Sequence, residues 1–239
     1  MILITSIAPN HISDQQKAVD SWQRSGLKAY SINGYDEIGQ IKANYPSVKF
    51  IETQRTMEKH FVKPVVQISA MIDFAKSLEG DDYFLFTNSD IEIEVNPEIL
   101  NMIEKVMFRK IIIANRSDYG EDKSNSQQYY SGIDVFFIHR KFLDIYPQSL
   151  YSIGQCFWDY WIPYMAVMNH VELALLENKI AFHKLHPLQY GNNEWHRIGQ
   201  YFRWDNQLIK YKEDQAGIGQ MSDYVFKTIY RNAKKIKIT

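Results

Sequence analysis

Tyr83-Phe84-Leu85-Phe86-Thr87-Asn88-Ser89-Asp90-Ile91-Glu92 passes from an unbroken apolar run directly into a polar turn. A strand with one wet face would alternate, so this run, bounded upstream by Gly80-Asp81-Asp82, reads as a strand buried on both faces. Its C-terminal end delivers Asn88 and Asp90 two residues apart. Side chains at i and i+2 of extended chain point to one side, so two oxygen ligands can reach one hard cation there. Mg²⁺ or Mn²⁺ held in that way would bridge phosphate oxygens and neutralise negative charge growing on a departing diphosphate. Asn, Ser and Asp are also the ordinary residues of a turn after a strand, and that reading stands beside the first.

Working outward, the upstream chain alternates strand and helix. Ile2 to Ser6 is a short buried strand that breaks at Ala8-Pro9-Asn10; a helix from Ser13 carries Val19 and Trp22 and stops at Gly26. Lys28 to Ile32 and Val48 to Ile51 are strand-like, with a helical stretch from Glu37 to Asn44 between them, and Val62 to Leu78 places Val65, Ile68, Ile72 and Ala75 on one helical face. This repetition predicts an α/β fold, a mostly parallel sheet between two layers of helices, with ligand chemistry at the C-terminal strand ends. Those ends are Thr5 to Pro9, Asn33, Thr53 and Asn88 to Asp90. Downstream, a helix from Pro97 to Phe108 and a strand from Ile111 to Ala114 lead into Asn115 to Tyr130, a polar stretch read as a long loop of lid or binding type. Ile133 to Ile138 is strand-like, Phe157 to Met168 helical, Val171 to Leu175 and Ile180 to Phe182 short strands, and the chain from Asn192 onward a helical tail. With no repeat and no composition break, the expected organisation is a main unit over 1–190 and a helical extension over 191–239 packed on it.

Composition limits the function classes. Lys+Arg 27 against Asp+Glu 28 gives a net charge of -1 over 239 residues, so no global attraction draws the chain to nucleic acid. The single cysteine, Cys156, excludes Cys-cluster zinc sites, CxxC redox motifs and internal disulfides, which is the usage of a reducing compartment. No apolar run approaches the ~20 residues that cross a bilayer, and Met1-Ile2-Leu3-Ile4 lacks the basic leader of a signal peptide. A cytoplasmic location is the expectation.

In this order of parts, Asn88-Ser89-Asp90 resembles the DXD motif of GT-A fold glycosyltransferases, with Asn in place of the usual first Asp. The resemblance spans roughly residues 1–190 and implies a Rossmann-like three-layer sheet and a nucleotide-sugar site. On it, Thr5, Ser6 and Pro9 fall in the loop that receives the nucleotide, Asn33 ends the strand whose tip often contacts the base, and Lys63 stands where similar enzymes carry a basic residue near the diphosphate. Asn88, Ser89 and Asp90 complete the donor-binding set, with Asn88, Asp90 and His186 around a Mn²⁺ or Mg²⁺ ion.

Tyr130-Ser131-Gly132-Ile133-Asp134 resembles the strand that presents a polar group to the sugar or acceptor, giving Gly132 and Asp134, with Trp158 and Trp195 as aromatic partners. Alternation alone would also place a polar residue at 134. Phe157-Trp158-Asp159-Tyr160-Trp161 sets one carboxylate among four aromatic rings, a surrounding that disfavours the charged form and raises proton affinity as a general base requires. Its position resembles the second acidic motif of inverting GT-A enzymes; a helix N-cap is the structural alternative. In His183-Lys184-Leu185-His186-Pro187, after a strand, His186 is the candidate metal or diphosphate ligand. The last basic stretch, Lys227, Arg231, Lys234, Lys235 and Lys237 around Ile229, Ala233 and Ile236, reads as a solvated helix end or as an interfacial helix making peripheral membrane contact.

The resemblance implies a transferase that moves a sugar from a UDP- or GDP-linked donor to a hydroxyl of a glycan or other acceptor, with inversion, a divalent metal and Asp159 as base. Two alternatives remain. A nucleotidyltransferase would carry a Gly-rich basic loop after the first strand, and Thr5 to Ser13 contains no Gly, Lys or Arg. A noncatalytic nucleotide- or carbohydrate-binding module draws on Asn88 in place of Asp.

Overall fold

A computed structural model describes residues 1–58, 64–186 and 191–238. The first half follows the expected alternation: β1 (Ile2–Thr5), α1 (Ile12–Arg24), β2 (Lys28–Asn33), α2 (Tyr35–Ile41), β3 (Lys49–Glu52), α3 (Ile68–Ser77) and β4 (Tyr83–Thr87). Then come β5 (Ile91–Ile93), α4 (Pro97–Met107), β6 (Ile111–Tyr119), β7 (Gln127–His139), α5 (Trp158–Met168), β8 (Leu173–Leu176), β9 (Ala181–Lys184), α6 (Asn192–Asp205), α7 (Gln215–Asn232) and β10 (Ala233–Ile236).

The main sheet runs β10-β8-β6-β7-β4-β1-β2-β3. Along that path only β7 is antiparallel to its neighbours. Alternate residues of the central strands feed opposite faces: Ile2, Ile4, Phe84 and Phe86 pack with α3, α5 and α7, while Leu3 and Leu85 pack with α1 and α4. This is the expected layered α/β architecture, with both faces of an apolar sheet covered by helices.

β6 changes partner part-way along its length. Ile111–Ala114 pairs with β8, and Ser117–Tyr119 pairs with β9. Register shifts against β7 fall between Ala114 and Ser117, a bulged stretch of the kind that bends a strand and re-aims its side chains. β9 in turn pairs with β5, and His183 is the ladder partner of both Asp118 and Ile91. Side chains of α1 satisfy the backbone of β5 on its other side. Trp22 Nε1 donates to the Ile91 carbonyl at 2.8 Å, Ser25 Oγ to the Ile93 carbonyl at 2.8 Å, and Ser21 Oγ accepts from the Ile93 N–H at 2.8 Å.

Three expectations change. Of the helix expected over Val62–Leu78, Val62 and Lys63 lie outside the described residues and the helical part runs Ile68–Ser77, because Val66 and Gln67 are held in bridges to Thr56 and Ser152 instead. The polar stretch Asn115–Tyr130 is not a long loop, since β6 and β7 continue into it and leave only Gly120–Ser126 between them. The C-terminal helical tail is interrupted by a strand: α7 ends at Asn232, and Ala233–Ile236 joins the sheet beside β8. The stripe expected on a basic helix is therefore split, with Ile229 and Ala233 buried in the core. Ile198, Phe202, Met221 and Val225 from α6 and α7 enter the same core cluster as Phe136 and Trp158. No helix among the described residues is long and apolar enough to cross a membrane.

Candidate functional site

A cleft of about 730 Å³ opens at the C-terminal ends of the parallel strands. Its first wall is the loop after β1. Gln15 holds that loop from α1, accepting from the Ala8 N–H at 3.0 Å and donating to the Ala8 carbonyl at 2.7 Å. Ser31 Oγ accepts from the Ile7 N–H at 2.8 Å, and Asn33 Nδ2 donates to the Ile7 carbonyl at 2.9 Å and to Glu37 Oε2 at 3.1 Å. Ser6 lines the cleft. Thr5 and Asn33 are fully buried and Pro9 faces outward, and none of the three lines it. Asn33 thus shapes the loop from behind. Lys63 lies outside the described residues.

The turn from β4 to β5 brings Asn88, Ser89 and Asp90 to the cleft, the β9 ladder brings His183 against it, and His186 follows just past the end of β9. Asp90, His183 and His186 each offer one ligand atom, all within 4.8 Å of one another. Asp90 Oδ2 lies 3.1 Å from His186 Nε2 and 3.7 Å from His183 Nε2, and the two imidazole Nε2 atoms are 3.1 Å apart. Burial alone would raise the Asp90 carboxyl, but hydrogen bonds and charge from the two histidines hold it well below the ordinary carboxylate range. Burial works against charge on His183, yet Asp118 and Asp90 push its pKa up to about 9. One carboxylate and two imidazoles converging on a point suit a divalent transition-metal ion better than Mg²⁺, which prefers oxygen. Across the group, His11 lies in the left-handed region at φ 48° and stacks on His186 with ring centroids 5.5 Å apart.

Asn88 lines the same cleft with its amide nitrogen turned to Asp134. Its Nδ2 donates to Asp134 Oδ1 at 2.8 Å, and the other oxygen of Asp134 pairs with Arg116 Nη1 at 2.9 Å. An amide at position 88 can donate to the buried Asp134, which a carboxylate there could not do. Asn88→Asp would set two carboxylates at hydrogen-bonding distance. It is expected to lower unfolding stability at pH 7 by about 1–3 kcal/mol in urea melts, and unchanged stability would remove this role. Gly132 makes room for the same cluster: a Cβ there would meet Tyr129 Cδ1 at 2.7 Å, Asp134 Oδ2 at 3.0 Å and Arg116 Cγ at 3.2 Å.

Asp159 lies in the first turn of α5 and is not its N-cap. Phe157 occupies the cap position at φ 69° without a side-chain capping bond, and Asp159 Oδ1 accepts from the Tyr160 N–H at 3.1 Å. Burial first, then the nearby charge of Asp134, pushes the Asp159 pKa up to about 8. Trp158 borders the cleft but is 2% exposed, its ring set edge-on against Phe136, so it serves mainly the core. Trp195, partly buried and packed on Phe157 with centroids 5.7 Å apart, presents the more accessible aromatic wall. The sequence points to a histidine pair and favours His186 over His183, and it gives no signal for Arg116 or Asp118. Arg116 and Asp118 sit two apart in the stretch taken for a loop; had a strand been recognised there, that spacing would have put both on one face.

No protein-family model matches the chain, and no curated protein matches it in sequence. Among solved structures, that of S. aureus TarS, a glycosyltransferase, aligns over 97% of this chain with a TM-score of 0.53 and 10% sequence identity. The fold is glycosyltransferase-like. This chain spans 43% of the TarS chain, and at that identity the likeness concerns architecture: a Rossmann-like, mostly parallel sheet with C-terminal helices.

Proposed function

We propose that the chain is a metal-dependent glycosyltransferase that moves a sugar from a UDP- or GDP-linked donor to a hydroxyl of a glycan or similar acceptor. The observation that carries this reading is the opening of two groups onto one cleft: the Asp90, His183 and His186 cluster and the high-pKa carboxylate of Asp159. The donor set fits a divalent ion, because Asp118 holds His183 Nδ1 at 3.0 Å and leaves Nε2 toward Asp90 and His186. Asp90, His183 and His186 would hold Mn²⁺, which when bound offsets the charge that develops on a leaving nucleoside diphosphate.

The protein's own groups would do the rest. Ser6 and the loop after β1 would seat the nucleotide, and Trp195 would offer an apolar face to a sugar ring. Asp159, ionised, would take the proton of the acceptor hydroxyl as its oxygen forms a bond to the anomeric carbon, while the bond from that carbon to the diphosphate oxygen breaks and the diphosphate leaves with the electron pair. In-line displacement of this kind inverts the anomeric centre.

A thermal-shift series with UDP, GDP and their sugars, each with and without Mn²⁺, tests the reading. A true ligand at 100 times its dissociation constant should stabilise the fold by about 2.7 kcal/mol, and only with metal present. No stabilisation by any nucleotide would overturn it. Metal-dependent stabilisation without sugar transfer or donor hydrolysis would favour the noncatalytic module.

A further inference from the structure

Asp118 belongs to the part of β6 that has left β8 and pairs with β9, directly opposite His183 in the ladder. Its Oδ1 lies 3.0 Å from His183 Nδ1 and also accepts from Arg116 Nε at 2.8 Å. The guanidinium reaches with Nη1 to Asp134 Oδ2 at 2.9 Å and lies over the Tyr129 ring, 4.9 Å from its centroid. Two carboxylates from neighbouring strands are therefore tied by one planar fork, which a lysine point charge cannot reproduce.

An imidazole has two nitrogens, and the one fixed by a hydrogen bond decides which is left to coordinate. With Nδ1–H donated to Asp118, the neutral imidazole that a cation binds carries its lone pair on Nε2, the atom 3.1 Å from His186 Nε2 and 3.7 Å from Asp90 Oδ2. We propose that Asp118, clamped by Arg116, is the positioning residue that turns His183 into a metal ligand. The inference rests on the cation site proposed above and extends it to two residues outside the Asp90, His183 and His186 ligand set.

The experiment uses the full chain and Mn²⁺ alone, without nucleotide. Calorimetry should show uptake by the wild-type chain, weakened ~10–100-fold in Asp118→Ala. Asp118→Asn, which still offers an oxygen to the His183 Nδ1–H, should recover part of the loss. Arg116→Lys, which keeps the charge and loses the fork, should bind more weakly than wild type. Electron spin echo spectra of the bound Mn²⁺ supply a readout that general loosening of the fold would not move: coupling to two imidazole nitrogens in the wild-type chain, and to one in Asp118→Ala. Should Asp118→Ala fail to fold, Asp118→Asn and Arg116→Lys carry the comparison. Wild-type uptake with undiminished uptake by the variants overturns this inference alone. A wild-type chain that takes up no Mn²⁺ overturns the cation site and the inference with it.

Discussion

Asp159→Asn should reduce sugar transfer by roughly 10²–10⁴-fold while donor affinity stays nearly unchanged, because the amide keeps the shape of the carboxylate and cannot accept a proton. The same group makes two pH dependences run in opposite directions. A base works ionised, so the wild-type rate should climb with pH along an acid limb far above the ~3.9 of a free Asp, toward the value of about 8 that burial and Asp134 impose. Stability should move the other way. Because the folded-state pKa is raised, the native chain keeps a proton that the unfolded chain has already lost; the contribution is complete below about 4 and is lost as pH rises through about 8. Rate profiles and urea melts over pH 5–9 would show both, and Asp159→Asn should flatten both. A variant that turns over at the wild-type rate with an unaltered acid limb removes Asp159 as the base and inversion with it.

Asp90→Ala should abolish Mn²⁺-dependent binding of nucleoside diphosphates, a loss larger than the ~10–100-fold that removal of an outer partner costs. Asp90 supplies the only carboxylate of the Asp90, His183 and His186 cluster, and without it two neutral imidazole nitrogens are all that the cluster offers a cation. Its side chain is 28% exposed at a turn, so the fold should persist. Calorimetry of UDP and GDP with Mn²⁺ present checks this directly, and unchanged affinity would take Asp90 out of the site.

The parts of the fold most legible in the sequence were the strands with apolar runs packed between helices. Tyr83 to Phe86 and Ile2 to Ile4 could be read as strands because apolar side chains face helices on both sides of the sheet. The extension of β7 from Gln127 to Ser131 was not legible, since these residues are exposed and owe their strand geometry to backbone pairing with β6, which leaves no period in the side chains. Within the candidate site, Asp90, Asp159 and His186 declared themselves through local context: a strand end, an aromatic cage and a histidine pair. Asp118 and Arg116 acquire their role only through partners 65 and 18 residues away, at His183 and Asp134, and the meeting is set by the change of partner along β6. Asn88 illustrates the same limit. Its departure from the usual acidic residue looked like a weakened metal ligand until the contact with Asp134 supplied another reason.

The strand at the C-terminal end of the described chain bears on solubility and not on catalysis. β8 is four apolar residues, Leu173–Leu176, all buried, and left uncovered it would offer unpaired backbone and an oily surface to any other extended chain. β10 lies over that edge, and the edge it presents in exchange carries Lys234 and Lys235, both exposed. A further strand docking there would have to bring its own backbone alongside Lys234 and the Lys235–Glu177 pair, and charged side chains on an edge strand disfavour self-association through the sheet.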